Sequence, residues 1–147
     1  NGSSDRFDFI RNIYNNLIFM ITPYVANIED ETLGNDNFRK EMFTGEHLQM
    51  TVMSLLPGED IGAEVHHTTD QFLRIEQGTG KAIVGEQEYD IEDDFAIIIP
   101  AGMNHNVINT GEVAMKLYSI YTPPEHPKGT IHKDKAEAMA AEAEHGH

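Results

Sequence analysis

Between Phe38 and Tyr121 the chain alternates short apolar runs with polar breaks. The runs are rich in Val, Ile, Leu, Phe and Tyr, side chains that suit a pleated, half-buried surface. The pattern predicts strands near 40–44, 47–56, 62–67, 71–77, 80–85, 88–91, 95–99, 105–109 and 113–121. Turn residues separate them: Thr44-Gly45-Glu46, Pro57-Gly58-Glu59-Asp60, Gln77-Gly78-Thr79-Gly80, Gly85-Glu86 and Asn109-Thr110-Gly111. Eight or nine short strands at this rhythm predict an all-β sandwich or barrel rather than βαβ units.

The flanks read differently. In residues 5–21, Phe9, Ile10, Ile13, Leu17, Met20 and Ile21 recur at spacings of three and four, the stripe of an amphipathic helix. Ser3 or Ser4 can cap its start and Pro23 ends it. The stripe is expected to pack on the body of the domain, or else on a second copy. Residues 27–38 are polar and turn-rich, which predicts a loop or an edge strand. Pro123-Pro124-Glu125-His126-Pro127 is an extended tether, and the Ala- and Glu-rich residues 133–144 predict a short helix. This divides the chain into an N-terminal helix and loop (1–37), a barrel (38–122) and a C-terminal tether and helix (123–147).

Composition narrows the chemistry. The 147 residues fit one domain and include no cysteine, which excludes thiolate metal sites, thiol catalysis and disulfides. Any metal is held by His, carboxylate or amide groups, a donor set for zinc, iron, nickel, cobalt or manganese. With 25 acidic against 10 basic residues the net charge is −15, so nucleic acid and anionic membranes are not expected partners. There is no long apolar run and no signal-peptide pattern in this sequence, and a cytoplasmic location is expected.

Four candidate donors fall on strand-like segments: Glu64, His66, Gln71 and His105. Alternation along a strand turns Glu64 and His66 to one side and His67 to the other. If Gln71 faces inward, Leu73 and Ile75 follow it; Val107 and Asn109 share the side of His105. Two antiparallel hairpins laid together could bring all four heads to one point.

These residues carry a resemblance. The chain reads Gly58, five residues, Glu64-Val65-His66, four residues, Gln71, six residues, Gly78; then Asp94, five residues, Pro100-Ala101-Gly102, two residues, His105, three residues, Asn109. Both segments resemble the two paired motifs of the cupin superfamily, in order and with matching gaps. Within that superfamily of RmlC-like jelly rolls, the chain is similar to small single-domain cupins of the mannose-6-phosphate isomerase-like group. The resemblance covers residues 58–109, and the β-pattern extends it to about 38–121. It implies a double-stranded β-helix, the jelly-roll barrel, with an N-terminal helix and a short C-terminal helix added here.

Three positions depart from the family pattern. Glu64 stands for the first His, Gln71 for the Glu and Asp94 for the second motif's leading Gly. The last is expected to affect only a turn. The first two give a shell of two His, one carboxylate and one amide around a single divalent metal. The same donors occur, in another order, in zinc-dependent phosphomannose isomerases of this fold. The contrary reading is a metal-free barrel in which Glu64 and Gln71 hydrogen-bond His66 and His105. A buried carboxylate without a cation is costly, which favours the metal.

Other histidines have weaker cases. His47 and His67 are expected on the surface, and His145 and His147 in a tail. His126 and His132 flank a Pro-Lys-Gly turn and could fold over the barrel mouth. Arg74 and Lys128 could bind an anionic substrate, although parity makes Arg74 an outward ion-pair residue.

The resemblance implies either isomerase-like chemistry on a small sugar-like or enolisable substrate, or dioxygenase chemistry with a redox metal. A small-molecule binding module and a storage barrel are the non-catalytic alternatives. A homodimer is expected, its face supplied by Phe72 with Leu48 and Met50, or Met53 and Leu55.

Overall fold

The computed structural model describes residues 2–20 and 22–144. Two helices precede the barrel, α1 (Gly2–Met20) and α2 (Ile28–Leu33). Nine strands follow among the described residues: β1 (Arg39–Thr44), β2 (Gln49–Leu55), β3 (Asp70–Gln77), β4 (Gly80–Val84), β5 (Gln87–Ile91), β6 (Ala96–Ile99), β7 (His105–Asn109), β8 (Met115–Thr122) and β9 (Ile131–His132). The chain closes on α3 (Lys135–Glu144).

All pairings are antiparallel. One sheet has the order β6-β3-β8-β2-β1-β9 and the other β5-β4-β7. The core between them takes Met53, Leu55, Leu73, Ile75 and Leu117 from the first sheet and Ala82, Ile91 and Val107 from the second. Alternation sets the inward face: Gln71, Leu73 and Ile75 are buried along β3, and His105, Val107 and Asn109 along β7. The predicted jelly roll is the fold observed.

Asp94 adopts φ 72° where the family pattern carries glycine. Asp tolerates this left-handed turn better than most residues. Its carboxylate accepts a hydrogen bond from Arg74 Nη2 at 3.0 Å, the outward ion pair that parity predicted.

Five expectations need correction. The stretch 62–67 is not a strand; it touches the sheet through one bridge, Glu64 to His105. Gly62, at φ +104°, turns the backbone out of extended geometry there. Residues 27–38 contain α2, capped by the Asn27 side chain, which accepts from Asp30 N at 3.0 Å. Glu29, Asp30 and Glu31 suit the positive end of that helix.

The described part of the α1 stripe does not pack on the domain: Phe9, Ile10 and Ile13 are 67%, 53% and 45% exposed. It is α2 that contacts β2, β3 and β8. Ser3 and Ser4 lie inside α1 rather than before it, and Leu17 and Met20 (side chains) and Ile21 fall outside the described residues. Finally, Met53 and Leu55 are core residues, fully buried within this chain, and Met50 is nearly so. They cannot supply a dimer face. The expectation for His145 and His147 falls outside the described residues.

Candidate metal centre

The segment after β2 is laid against β7 by backbone hydrogen bonds. Ile61 N donates to Val107 O at 2.9 Å, and Glu64 and His105 exchange two bonds of 2.9 Å each. Glu64 is thereby fixed opposite His105. The Pro100-Ala101-Gly102 turn docks on the same stretch, Gly102 N donating to His66 O at 2.8 Å. Gly102 takes φ +84°, a conformation that the motif glycine accepts without strain.

The result is a cluster of three donors. Ligand atoms of Glu64, His66 and His105 lie within 4.8 Å of one another. Glu64 Oε2 is 3.1 Å from His66 Nε2 and 3.9 Å from His105 Nε2. The two rings stand 5.2 Å apart. The 3.1 Å approach is a charge contact. Both Nε2 atoms are buried without a hydrogen-bond partner.

The far side of each ring is committed. His105 Nδ1 donates to the Met103 carbonyl at 3.1 Å, and His66 Nδ1 lies 3.1 Å from Glu125 Oε1. A ring that gives its Nδ1 proton to an oxygen presents a bare Nε2, the tautomer a metal ligand needs. Glu125 is itself held by Thr69 Oγ1, which donates to Oε2 at 3.0 Å.

Charge follows the same geometry. Burial pushes the Glu64 carboxyl up, but the His66 contact and the Arg39 charge outweigh it and hold the pKa below its ordinary value. Burial pulls His66 down, and Glu64 and Glu125 more than reverse this, leaving it raised. His105, dominated by burial, is lowered. A buried carboxylate with two unsatisfied imidazole nitrogens fits a divalent cation better than a closed hydrogen-bond network.

Gln71 is the fourth expected donor. It is 3% exposed, and its Nε2 donates to Ser119 Oγ at 2.8 Å. Its Oε1 is buried with no hydrogen-bond partner. The amide is oriented, and the oxygen is left available.

Two of the three donors, Glu64 and His66, open on a cavity of about 750 Å³. Glu64 and His66 line one part of it; Arg39, His126 and His132 line another. Both tether histidines therefore reach the barrel mouth. Burial lowers His126 to about 3, so its imidazole is neutral. Its backbone is pinned by Gln49, which accepts from His126 N at 2.8 Å and donates to His126 O at 2.7 Å. His47 is exposed, as is His67.

Sequence reading missed Arg39, Gln49 and Glu125. The polar Gln49 at the start of the buried strand β2, and the Glu-His pair inside the proline-rich tether, were the available signals.

A paired motif, a jelly roll and a His–carboxylate cluster at its mouth together define a cupin. The family model described as "Cupin domain" matches residues 51–121. The chain is 53% identical over 126 residues to the uncharacterized protein YrkC of Bacillus subtilis (strain 168), covering 82% of this chain and 68% of that one. It is 42% identical over 112 residues to a protein of Acanthamoeba polyphaga mimivirus, covering 74% and 70% of the two chains. The crystal structure of BH2720 from Bacillus halodurans is similar at 54% identity and a TM-score of 0.80, covering 81% of this chain and 95% of that one. The chain belongs to the cupin family. Among the described residues, no helix is long and apolar enough to cross a membrane.

Proposed function

We propose that this cupin binds one divalent metal at Glu64, His66 and His105, with Gln71 as a weaker fourth ligand. In this reading it is an enzyme acting on a small enolisable, sugar-like substrate in the manner of an isomerase. One observation carries the metal: two buried Nε2 atoms without hydrogen-bond partners face a single carboxylate, while both Nδ1 positions are committed. A divalent cation there would supply Lewis acidity, polarising a carbonyl or steadying an enediolate.

The chain's own residues do the rest. Glu64 supplies the single negative charge of the donor set. Glu125 and the Met103 carbonyl fix the tautomers. Neutral His126 presents a hydrogen-bonding ring to the cavity without adding charge. The ligand is a small molecule by the size of the cavity, which lies in the range of small-molecule sites. A cytoplasmic homodimer belongs to the same reading. Support for the dimer is the outer face of β3, where Phe72 lies 6.2 Å from Tyr118 and pairs across the sheet with exposed Ile98.

Elemental analysis of protein purified without added metal, followed by titration of zinc and manganese into chelator-stripped protein, tests the proposal. One equivalent bound with a rise in melting temperature is expected. A stripped protein that binds neither ion, and melts unchanged in their presence, would overturn it. Bound zinc favours isomerase-like chemistry; bound iron turns the reading towards the dioxygenases.

A further inference from the structure

Arg39 is the most deeply buried cation of the described chain, 1% exposed at the start of β1. Sequence patterning offers no reason for it, since a strand residue facing the inside of a barrel is expected to be apolar. Its Nη1 is 3.5 Å from His132 Nδ1, and its guanidinium carbon sits 5.5 Å from the centre of the Phe38 ring. Its Nε is buried without a hydrogen-bond partner. A guanidinium is always charged and carries five N–H donors in a fixed fork. One imidazole and a ring face leave that fork largely unused.

Neither Glu64 nor Glu125 forms an ion pair with it. Glu64 faces His66 and His105, and Glu125 faces His66 and Thr69. The charge of Glu64 reaches Arg39 only at longer range. A metal on Glu64 would take up that charge as well. A buried, incompletely paired cation costs several kcal/mol unless an anion meets it. Arg39 borders the same cavity as the metal cluster, so an anion can arrive through that space.

We propose that Arg39 is the anion-recognition residue of this cavity, and that the ligand is a small organic acid whose carboxylate docks on the guanidinium while its remaining oxygens face Glu64, His66 and His105. This rests on the cavity being the working site proposed above, but not on a metal being bound. The carboxylate is favoured over a phosphate by the rest of the wall. The lining contains one guanidinium and no lysine, with Glu64 and Glu125 contributing negative charge. A dianion would meet one cation and the acids Glu64 and Glu125; a planar monoanion matches the single fork. The apolar part of the ligand would rest on Val65, Pro124 and Pro127, which line the space between.

The experiment compares three probes by titration: 2-oxopentanoate, its neutral amide, and glucose 6-phosphate. Each is followed calorimetrically and through the arginine Nε–H signals of the wild-type protein, both zinc-loaded and chelator-stripped. The chain has four arginines, so the Arg39 signal is assigned by its loss in Arg39→Lys. Expected is a shift of the Arg39 signal by the acid, with affinity at least about 10-fold above amide and phosphate, the scale of a charge-assisted hydrogen bond. Arg39→Gln removes the preference and Arg39→Lys keeps part of it, in variants whose melts confirm folding.

Equal binding of acid and amide overturns the proposal, as does saturation that leaves the Arg39 signal unmoved. So does no binding of the acid at tens of millimolar, and tighter binding of the phosphate overturns the carboxylate. Stoichiometric zinc binding without an acid preference fails this inference alone. An acid preference in protein that binds no metal fails only the metal reading.

Discussion

The two ends of the cavity are made in opposite ways. At the end with the His–carboxylate cluster, each imidazole is held from behind by an oxygen and points its Nε2 forward. That end is preorganised before anything binds. At the other end Arg39 touches His132 and keeps an unsatisfied Nε. There the orientation comes from burial, and the charge waits for a partner. In the proposed reading, one end would be completed by a cation and the other by an anion. A bifunctional ligand would need both, and the difference teaches that a site can be specified by what it lacks.

The largest effect should come from the finished end. His105→Ala removes the ligand that the Pro-x-Gly turn and β7 hold in place. Loss of zinc affinity by more than about 100-fold is expected, beyond what supporting partners carry. The zinc-dependent rise in melting temperature should vanish with it, read by calorimetry and thermal melts. Retention of wild-type affinity would mean that the convergence of Glu64, His66 and His105 is not the metal site.

Glu125→Gln tests the backing of His66. The amide can still accept through its oxygen but no longer carries charge. Zinc affinity should fall by about 10–100-fold, the range for such supporting residues, while the fold is retained. An unchanged affinity would make Glu125 a tether residue alone. Gln71→Ala is expected to do less. Amide oxygen is a weak donor, and a loss of under about 10-fold in zinc affinity would fit its place beside the three convergent donors. A loss equal to that of His105→Ala would raise Gln71 to a full ligand.

The two ends also differ in how far they could be read from sequence. Glu64, His66 and His105 belong to motifs with countable gaps, and alternation along β7 turned His105 inward with Val107 and Asn109, as found. The barrel was legible for the same reason, since its strands obey a period of two. Arg39 was not, because its contact with His132 spans 93 residues and passes through β9, a strand of two residues. Glu125 reaches back 59 residues to His66. No local pattern encodes such contacts. The helix α2 was missed because Asn27, Asp30, Asn35, Asp36 and Asn37 resemble a loop. One of them, Asn27, is the cap of that helix. In the α1 stripe, Phe9, Ile10 and Ile13 lie on a helix but are exposed, since periodicity gives a face and not its partner.

One ion pair joins the two ends, and it gives the smallest expected effect. Asp60 lies on the segment that leads to Glu64; Lys135 opens α3, which carries Ala141 and Glu142 onto the cavity wall near Arg39. The Asn106 side chain donates to Asp60 Oδ2 at 2.9 Å and the Lys135 ammonium contacts Oδ1. The Asn106 hydrogen bond first, then Lys135, holds the Asp60 pKa below its ordinary value of 3.8. A carboxyl depressed in the folded state stabilises above its unfolded pKa and loses that contribution as pH falls through the folded one. The pair is partly exposed, so its worth is discounted to at most about 1 kcal/mol. Asp60→Asn should therefore be less stable than wild type by up to that amount at pH 7 in denaturant melts, with the gap closing towards pH 3 and below. Binding of 2-oxopentanoate should weaken more than binding of zinc, because α3 borders the Arg39 end. A gap that stays constant with pH would remove the Asp60 charge from the account, and equal weakening of both ligands would mean that the two ends move as one.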